Sequence, residues 1–337
     1  MNRIKLTNKV NAKLWSILVN NTKNTLLYNF IYKSYWHYLF HKSDNVCNVD
    51  NLYYAAWPNH GAGLGHQLDV WCSGPFIARD WGLKFAYLPF SKERWDKFLG
   101  FGEEEISVEE LKKRGYIVRR LPLFDAHDNI SIDLNKRIIS SYSGKKIVFI
   151  AEVDQPYIYT PEEKTEFIKN KFMSASSRAD DMIILDRSNY NITIHIRRGD
   201  IMSDPTNQNL VMRYLSNAYY DNVLQQVLKI LNIDKPVHIY VFSQGKLEDF
   251  PEFNKYDNLH WCFDVSAQNS FANMVYSDMI ITSKSSFSYD PALMNEGVKL
   301  CPKSFWGHYP KSKEWILCED DGSFDNNVLL DVLKTKL

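Results

Sequence analysis

The stretch "NITIHIRRGDIMS", residues 191–203, decides how the chain is read. Asn191 to Ile196 alternate with the period of a strand, and the run closes on Arg197, Arg198, Gly199 and Asp200. On extended backbone His195 and Arg197 lie on one face and Ile194 and Ile196 on the other, so two polar side chains emerge together at the strand's end. An arginine fork donates two parallel charge-assisted hydrogen bonds and keeps its charge at physiological pH, which suits an anionic ligand. Two blander readings use the same residues: a surface ion pair with Asp200, and an adhesion tripeptide, Arg198-Gly199-Asp200.

Outward from this strand the chain alternates. Residues 210–231 carry Tyr220, Val223, Leu224, Val227, Leu228 and Leu231 at helical spacing, and 237–243, 259–264, 278–284 and 298–302 read as short strands. Helices are expected through Phe271, Met274 and Val275, and from Pro291 to Glu296 with Gly297 as the stop. In the first half, a strand over 51–57 leads into a glycine-rich loop, a helix over 69–82 and a strand over 84–90. A helix capped by Ser107, strands over 116–123 and 145–153, and a helix from Thr160 follow. Such alternation predicts an α/β protein with parallel sheets covered by helices on both faces. Its two doubly wound, Rossmann-like halves are expected to be 1–185, on the acceptor side, and 186–337, on the donor-nucleotide side. Ligands then belong at the carboxyl ends of the strands, in the cleft between the halves.

Bulk composition narrows the class. Lys plus Arg equals Asp plus Glu at 40 each, so no global positive field favours nucleic acid as a partner. The five cysteines are widely spaced and contain no C-x-x-C pair, which argues against a zinc site or a disulfide scaffold and suits a reducing, cytoplasmic compartment. The N-x-S/T triplets at Asn20, Asn129 and Asn191 read as chance matches, since Asn191 heads a buried strand. No uncharged run approaches the roughly 20 residues of a spanning helix, and no secretion signal is evident. Residues 13–41, "KLWSILVNNTKNTLLYNFIYKSYWHYLFH", mix aromatics, leucine and lysine. They suit either a peripheral membrane contact or a helical lid packed on the core.

Two further polar clusters fall at strand ends. In "TSKSSFSYDPAL", 282–293, a strand gives way to serines and a helix expected to begin near Ser288. Helix amino termini expose unpaired N–H groups and the positive end of the dipole, and so attract anions; serine caps are also common without any ligand. In "HGAGLGHQLD", 60–69, Gly61, Gly63 and Gly65 fall at every second residue, which is neither G-x-G-x-x-G nor a P-loop. The loop offers close backbone approach to a ligand, with His66, Gln67 and Asp69 nearby.

H-x-R-R-x-D at 195–200, G-x-G-x-G-x-Q-L at 61–68 and S-S-F-S at 285–288 together resemble the fucosyltransferases that use GDP-fucose, a grouping of core α1,6-, bacterial α1,2- and protein O-fucosyltransferases. The resemblance implies a GT-B fold, with two facing Rossmann-like domains, and transfer of fucose to a hydroxyl of a glycan or glycoprotein acceptor without a metal. It implies that Arg197 grips the β-phosphate of GDP with Arg198 beside it and that His195 sits by the nucleotide. Ser285, Ser286 and Phe287 would complete the phosphate pocket, and Gly63 and Gly65 would let backbone approach the ligand. Asp264, at the end of the strand over 259–264, would read guanine, accepting from N1–H and the N2 amino group at once. His66 stands where these enzymes carry Asn or Cys. The base that takes the acceptor's proton is sought among Asp200, Asp204, Asp69, His66 and Glu152, with Asp204 favoured and Asp200 bracing the loop. Alternatives are a different sugar nucleotide on the same fold, or a non-catalytic binding protein.

Overall fold

The computed structural model of the chain describes residues 13–23, 25, 27–41, 48–58, 63–154, 159–202, 206–305 and 309–336. By packing, the chain forms two compact units, Met1–Ser91 with Gly102–Tyr159, and Lys92–Phe101 with Thr160–Leu337. The division falls earlier than 185/186. Helix Pro161–Ser174 belongs to the second unit, and so does helix Glu93–Leu99, contributed from the middle of the first half. Thr160 starts the former through a reciprocal capping box with Glu163.

The first unit holds strands β1 (Leu52–Ala56), β2 (Lys84–Phe85), β3 (Ile117–Arg120), β4 (Phe124–Asp125), β5 (Ile147–Ala151) and β6 (Val153–Asp154). Its main sheet is parallel, in the order β2-β1-β5-β3. The pleat sorts its residues. Leu52, Tyr54, Ala56, Ile147, Phe149 and Ala151 pack with helices Leu64–Asp80 and Asn129–Ser140, whereas Ala55, Val148 and Ile150 pack with helix Val108–Lys113. Both faces are therefore buried, as continuous apolar strands require. Ser107 caps its helix as expected, accepting from the amide of Glu110. The expected strand over 84–90 stops at Phe85, and Tyr87 makes only an isolated bridge to Ser107.

Residues 13–22 are helical. Trp15 turns inward, edge-on to buried Tyr32 at 5.4 Å, and Ser34, on helix Lys33–Phe40, donates to the carbonyl of Arg120. The inner side of the leader is thus packed on the first unit, while Leu14, Ile17, Trp36 and Phe40 stay exposed.

The second unit is a six-stranded parallel sheet of β7 (Tyr190–His195), β8 (Val237–Phe242), β9 (Leu259–Trp261), β10 (Met279–Ile281), β11 (Val298–Pro302) and β12 (Trp315–Cys318). Read across, the order is β12-β11-β10-β7-β8-β9, the dinucleotide-fold arrangement in which winding reverses between β7 and β10. Ile192, Ile194 and Ile196 face one layer, with helices Asn217–Ile230 and Asn326–Lys336. Each such fully buried isoleucine contributes about 2–3 kcal/mol. The opposite face carries Asn191, Thr193 and His195 against helices Ala267–Tyr276 and Ser286–Met294. Strand β12 and the last helix were not anticipated. The helix expected from Pro291 to Glu296 instead runs over Ser286–Met294, and Asn295 ends it, donating to the carbonyls of Met274, Val275 and Ser277 at 3.0, 3.0 and 2.7 Å. Gly297 has a different role from a helix stop, because a Cβ there would collide with the backbone carbonyl of Asp278. Among the described residues no helix is long and apolar enough to cross a membrane.

Candidate functional site

The switch between β7 and β10 brings two of the three polar clusters together. Strand β7 is fully buried and ends at His195; β10 ends at Ile281, paired with Ile194. The chain leaving β7 therefore runs beside the chain leaving β10, and Arg197 meets Ser285. Its Nη1 donates to Ser285 Oγ at 3.0 Å. The same hydroxyl accepts from the amide of Phe287 at 3.2 Å and so caps helix Ser286–Met294, which begins at Ser286 and not at Ser288. A guanidinium and a helix amino terminus, each an anion attractor, thus share one serine. Ser286 and Phe287 form the first turn of that helix and are half-exposed.

His195 lies one residue inside the strand, 8% exposed, with Nδ1 at 2.7 Å from Ser283 Oγ. Ser283 in turn is bound to Ser288, whose hydroxyl accepts from the Ser283 amide at 3.1 Å. Burial, and secondarily the neighbouring Arg197 charge, push the His195 pKa down to about 3. The imidazole is neutral at physiological pH, so its second nitrogen serves hydrogen bonding and carries no charge. Phe287 covers it, with ring centroids 5.2 Å apart. Trp95 and Phe271 pack edge-on against Phe287, both at 6.3 Å, so the segment over 92–101 helps to hold that ring in place.

Below His195 the same strand face is polar at every second residue. Thr193 Oγ1 is 2.8 Å from Ser277 Oγ, and the Asn191 amide donates to the carbonyl of Asp186 at 2.9 Å. Thr193 and His195 thus tie β7 to Ser277 and Ser283, which flank its covering helices, while Asn191 ties the base of the strand to the segment just before it.

Arg198 is used differently from Arg197. Its Nη1 donates to the carbonyls of Arg197 and Leu215 at 2.8 and 3.2 Å, its Nη2 to Asn217 Oδ1 at 2.5 Å, and its guanidinium lies 4.8 Å over Tyr214. It braces the loop after β7 against the helix starting at Asn217. The tripeptide reading loses its first residue to these contacts, and Gly199, at φ +70°, opens a tight 3-10 turn over Gly199–Met202 in place of a projecting loop. A cavity of about 320 Å³ opens here, lined by His195, Arg197, Arg198, Gln244, Phe263 and Phe287 among others. It is within the size range of small-molecule sites. A larger cavity, about 1060 Å³, lies at the amino ends of the same strands by Tyr190, Asp278 and Val298. None of the motif residues lines it, and ligands of doubly wound sheets sit at the carboxyl ends.

Asp264 does not end a strand. Strand β9 stops at Trp261, and Asp264 follows in an exposed bend whose neighbours Phe263 and Val265, not Asp264 itself, line the cavity. Gly63, Gly65 and His66 belong to the first unit, where Gly63 caps helix Leu64–Asp80 just after β1. Gly65 is buried and His66 exposed. Gly63 leaves open space: a Cβ there would meet nothing within 4 Å. Gln67 holds the chain at Ser91 through both amide atoms, and Asp69 is buried on the same helix. Asp204, and Gly61 with it, lie outside the described residues. Glu152 is exposed after β5. Trp71, Tyr87 and Trp95 are core. Among the described residues no group of three or more His, Cys, Asp or Glu side chains is placed to hold a metal ion. Ser283 and Asn217, which position His195 and Arg198, were not singled out from sequence; the only signal for Ser283 is its place in a run of serines at a strand end.

No protein-family model matches the chain, and no curated protein sequence matches it. Among solved structures it is similar to POFUT1 in complex with GDP, with 12% identity over 74% of this chain and 98% of that one and a TM-score of 0.46. It is also similar to the NodZ alpha-1,6-fucosyltransferase soaked with GDP-fucose, with 11% identity over 77% and 97% and a TM-score of 0.44. A third is the E. coli heptosyltransferase WaaC with ADP, with 10% identity over 85% and 100% and a TM-score of 0.42. Likenesses of this size identify neither a donor nor an acceptor.

Proposed function

We propose that the protein is a glycosyltransferase of GT-B type that moves fucose from GDP-fucose to a hydroxyl of a glycan or glycoprotein acceptor without a metal. The observation that carries this reading is the Arg197–Ser285 contact at the amino terminus of helix Ser286–Met294, beside a cavity at the winding switch. In the reaction the acceptor oxygen bonds to the anomeric carbon, the bond from that carbon to the diphosphate oxygen breaks with its electron pair, and GDP departs with extra negative charge. Arg197 and the helix amides meet that charge, each well-placed donor being worth about 3–4 kcal/mol in the transition state. Neutral His195 offers a hydrogen bond without competing for the phosphate or repelling Arg197. The acceptor's proton goes to a carboxylate, for which we assign Asp204.

Asp264's exposed position favours a second reading in which the fold is kept and the donor carries another base. A melting-temperature panel separates the two: GDP raises the transition temperature and ADP, UDP and CMP do not if the donor is GDP-fucose, and release of GDP from GDP-fucose persists in a chelator. Stabilisation by ADP or UDP in preference to GDP moves the protein to the second reading. No stabilisation by any nucleotide removes both.

A further inference from the structure

We infer that the leader, residues 13–41, docks the protein on an anionic lipid bilayer surface, with its exposed apolar side chains lying among the headgroups. This is independent of the donor reading.

Charge is the first observation. Residues 1–41 contain Arg3, Lys5, Lys9, Lys13, Lys23 and Lys33 and no Asp or Glu, in a chain with 40 of each sign. The remainder is therefore net negative by six. An anionic surface attracts this segment of the chain and repels the remainder, so the leader is the part drawn to it.

The second observation is an apolar surface in the same segment. On the helix over 13–22, Leu14, Ile17 and Leu18 form an outward row, 60%, 48% and 43% exposed, opposite the inward Trp15. On helix Lys33–Phe40, Trp36 and Phe40 stack with centroids 6.1 Å apart, 44% and 74% exposed. Phe30 continues the row, 5.3 Å from Trp36, whose Nε1 donates to the Phe30 carbonyl at 2.7 Å. Lys33 lies on the face of Trp36 and Phe40, one turn before Trp36. Rows of exposed large apolar groups mark interaction surfaces in soluble domains. Aromatic rings at headgroup depth with ammonium groups among the phosphates are what a bilayer interface accommodates. No described helix crosses a membrane, so the leader lies in the plane. A second copy of the chain would cover the apolar row but set one basic leader against another.

The test is sedimentation of the full chain with vesicles of phosphatidylcholine alone, or with a third phosphatidylglycerol. Binding is expected to the anionic vesicles and not to the neutral ones, and to weaken at least about tenfold in about 0.5 M salt, where screening is strong. Since each basic residue near such a surface multiplies the partition by roughly fivefold, the triple variant Lys13→Glu, Lys23→Glu, Lys33→Glu should lose binding by well over tenfold. These lysines are exposed, so this variant keeps the fold even if the aromatic one does not. Trp36→Ser with Phe40→Ser is expected to lose about tenfold with an unchanged melting temperature. Equal binding to neutral vesicles, indifference to the lysine reversal, or a concentration-dependent dimer that the aromatic variant dissolves would each overturn the inference.

Discussion

At the carboxyl end of β7, Arg197 reaches a serine at a helix amino terminus and lines a cavity of about 320 Å³. At the carboxyl end of β3, Arg120 is clamped between Trp15 and Trp57, 4.8 and 4.6 Å from their ring centres, beside a cavity of only about 20 Å³. The residue type and the end of the sheet are the same. What differs is the capping material: hydroxyls and backbone amides leave room beside the guanidinium, whereas indoles cover its faces and fill the space. The fold supplies the location of a site, and the side chains around it decide whether that location is open.

Swapping the two arginines out one at a time should pull binding and stability apart. Arg197→Ala is expected to lose GDP affinity on the order of a hundredfold and turnover by 10²–10³ with little change in stability. Arg120→Ala should instead lose about 1–2 kcal/mol of stability and leave GDP affinity within about twofold. Calorimetric titration beside thermal unfolding reads both, and a loss of nucleotide affinity in the Arg120 variant would erase the distinction. The glycines make a smaller contrast. Gly199→Ala forces a left-handed backbone and presses on the Gln244 side chain, so it should lose about 2 kcal/mol. Gly63→Ala, at an ordinary φ of −65° with open space, should stay within about 0.5 kcal/mol, since the stiffer unfolded chain offsets the poorer cap. Denaturant midpoints compare them.

A last contrast concerns acid. The unfolded imidazole of residue 195 takes its proton near pH 6.5 and the folded one only near 3. Between those values the unfolded chain binds more protons, so stability falls as pH drops through that window and is fully present above it. His195→Asn should flatten the stability profile there relative to the parent chain. Superimposable slopes would mean that His195 is not held neutral.

Much of this was legible in residues 191–203 and their surroundings. Continuous or alternating apolar runs located β1, β5, β7, β8 and β11, because strands buried in a covered parallel sheet read as one or the other, and Ser107 and Thr160 announced their helices through local hydrogen bonds. The Arg197–Ser285 meeting follows from strand order, which alternation implies but does not spell out. Less was visible where tertiary packing overrode local pattern. "LHWCFD" looks like a strand to its end, yet β9 is an edge strand that stops at Trp261, which moves Asp264 out to solvent. "WILC" at 315–318 is too short to declare itself without the neighbouring β11. The leader offered a choice between lid and membrane face, and its two sides answer separately: Trp15 and Tyr32 pack inward, Leu14 and Phe40 do not.

The polar residues at alternate positions of β7 have a mechanical meaning. A helix layer resting on nothing but valine and isoleucine can creep along a strand at small energetic penalty, because one greasy contact replaces another. Here Thr193 and His195 act as teeth, on Ser277 and Ser283, that engage only one setting, and a shift of the layer would strand buried hydroxyls and the imidazole at once. The aim of Arg197 is therefore calibrated along the body of the strand, below the site itself.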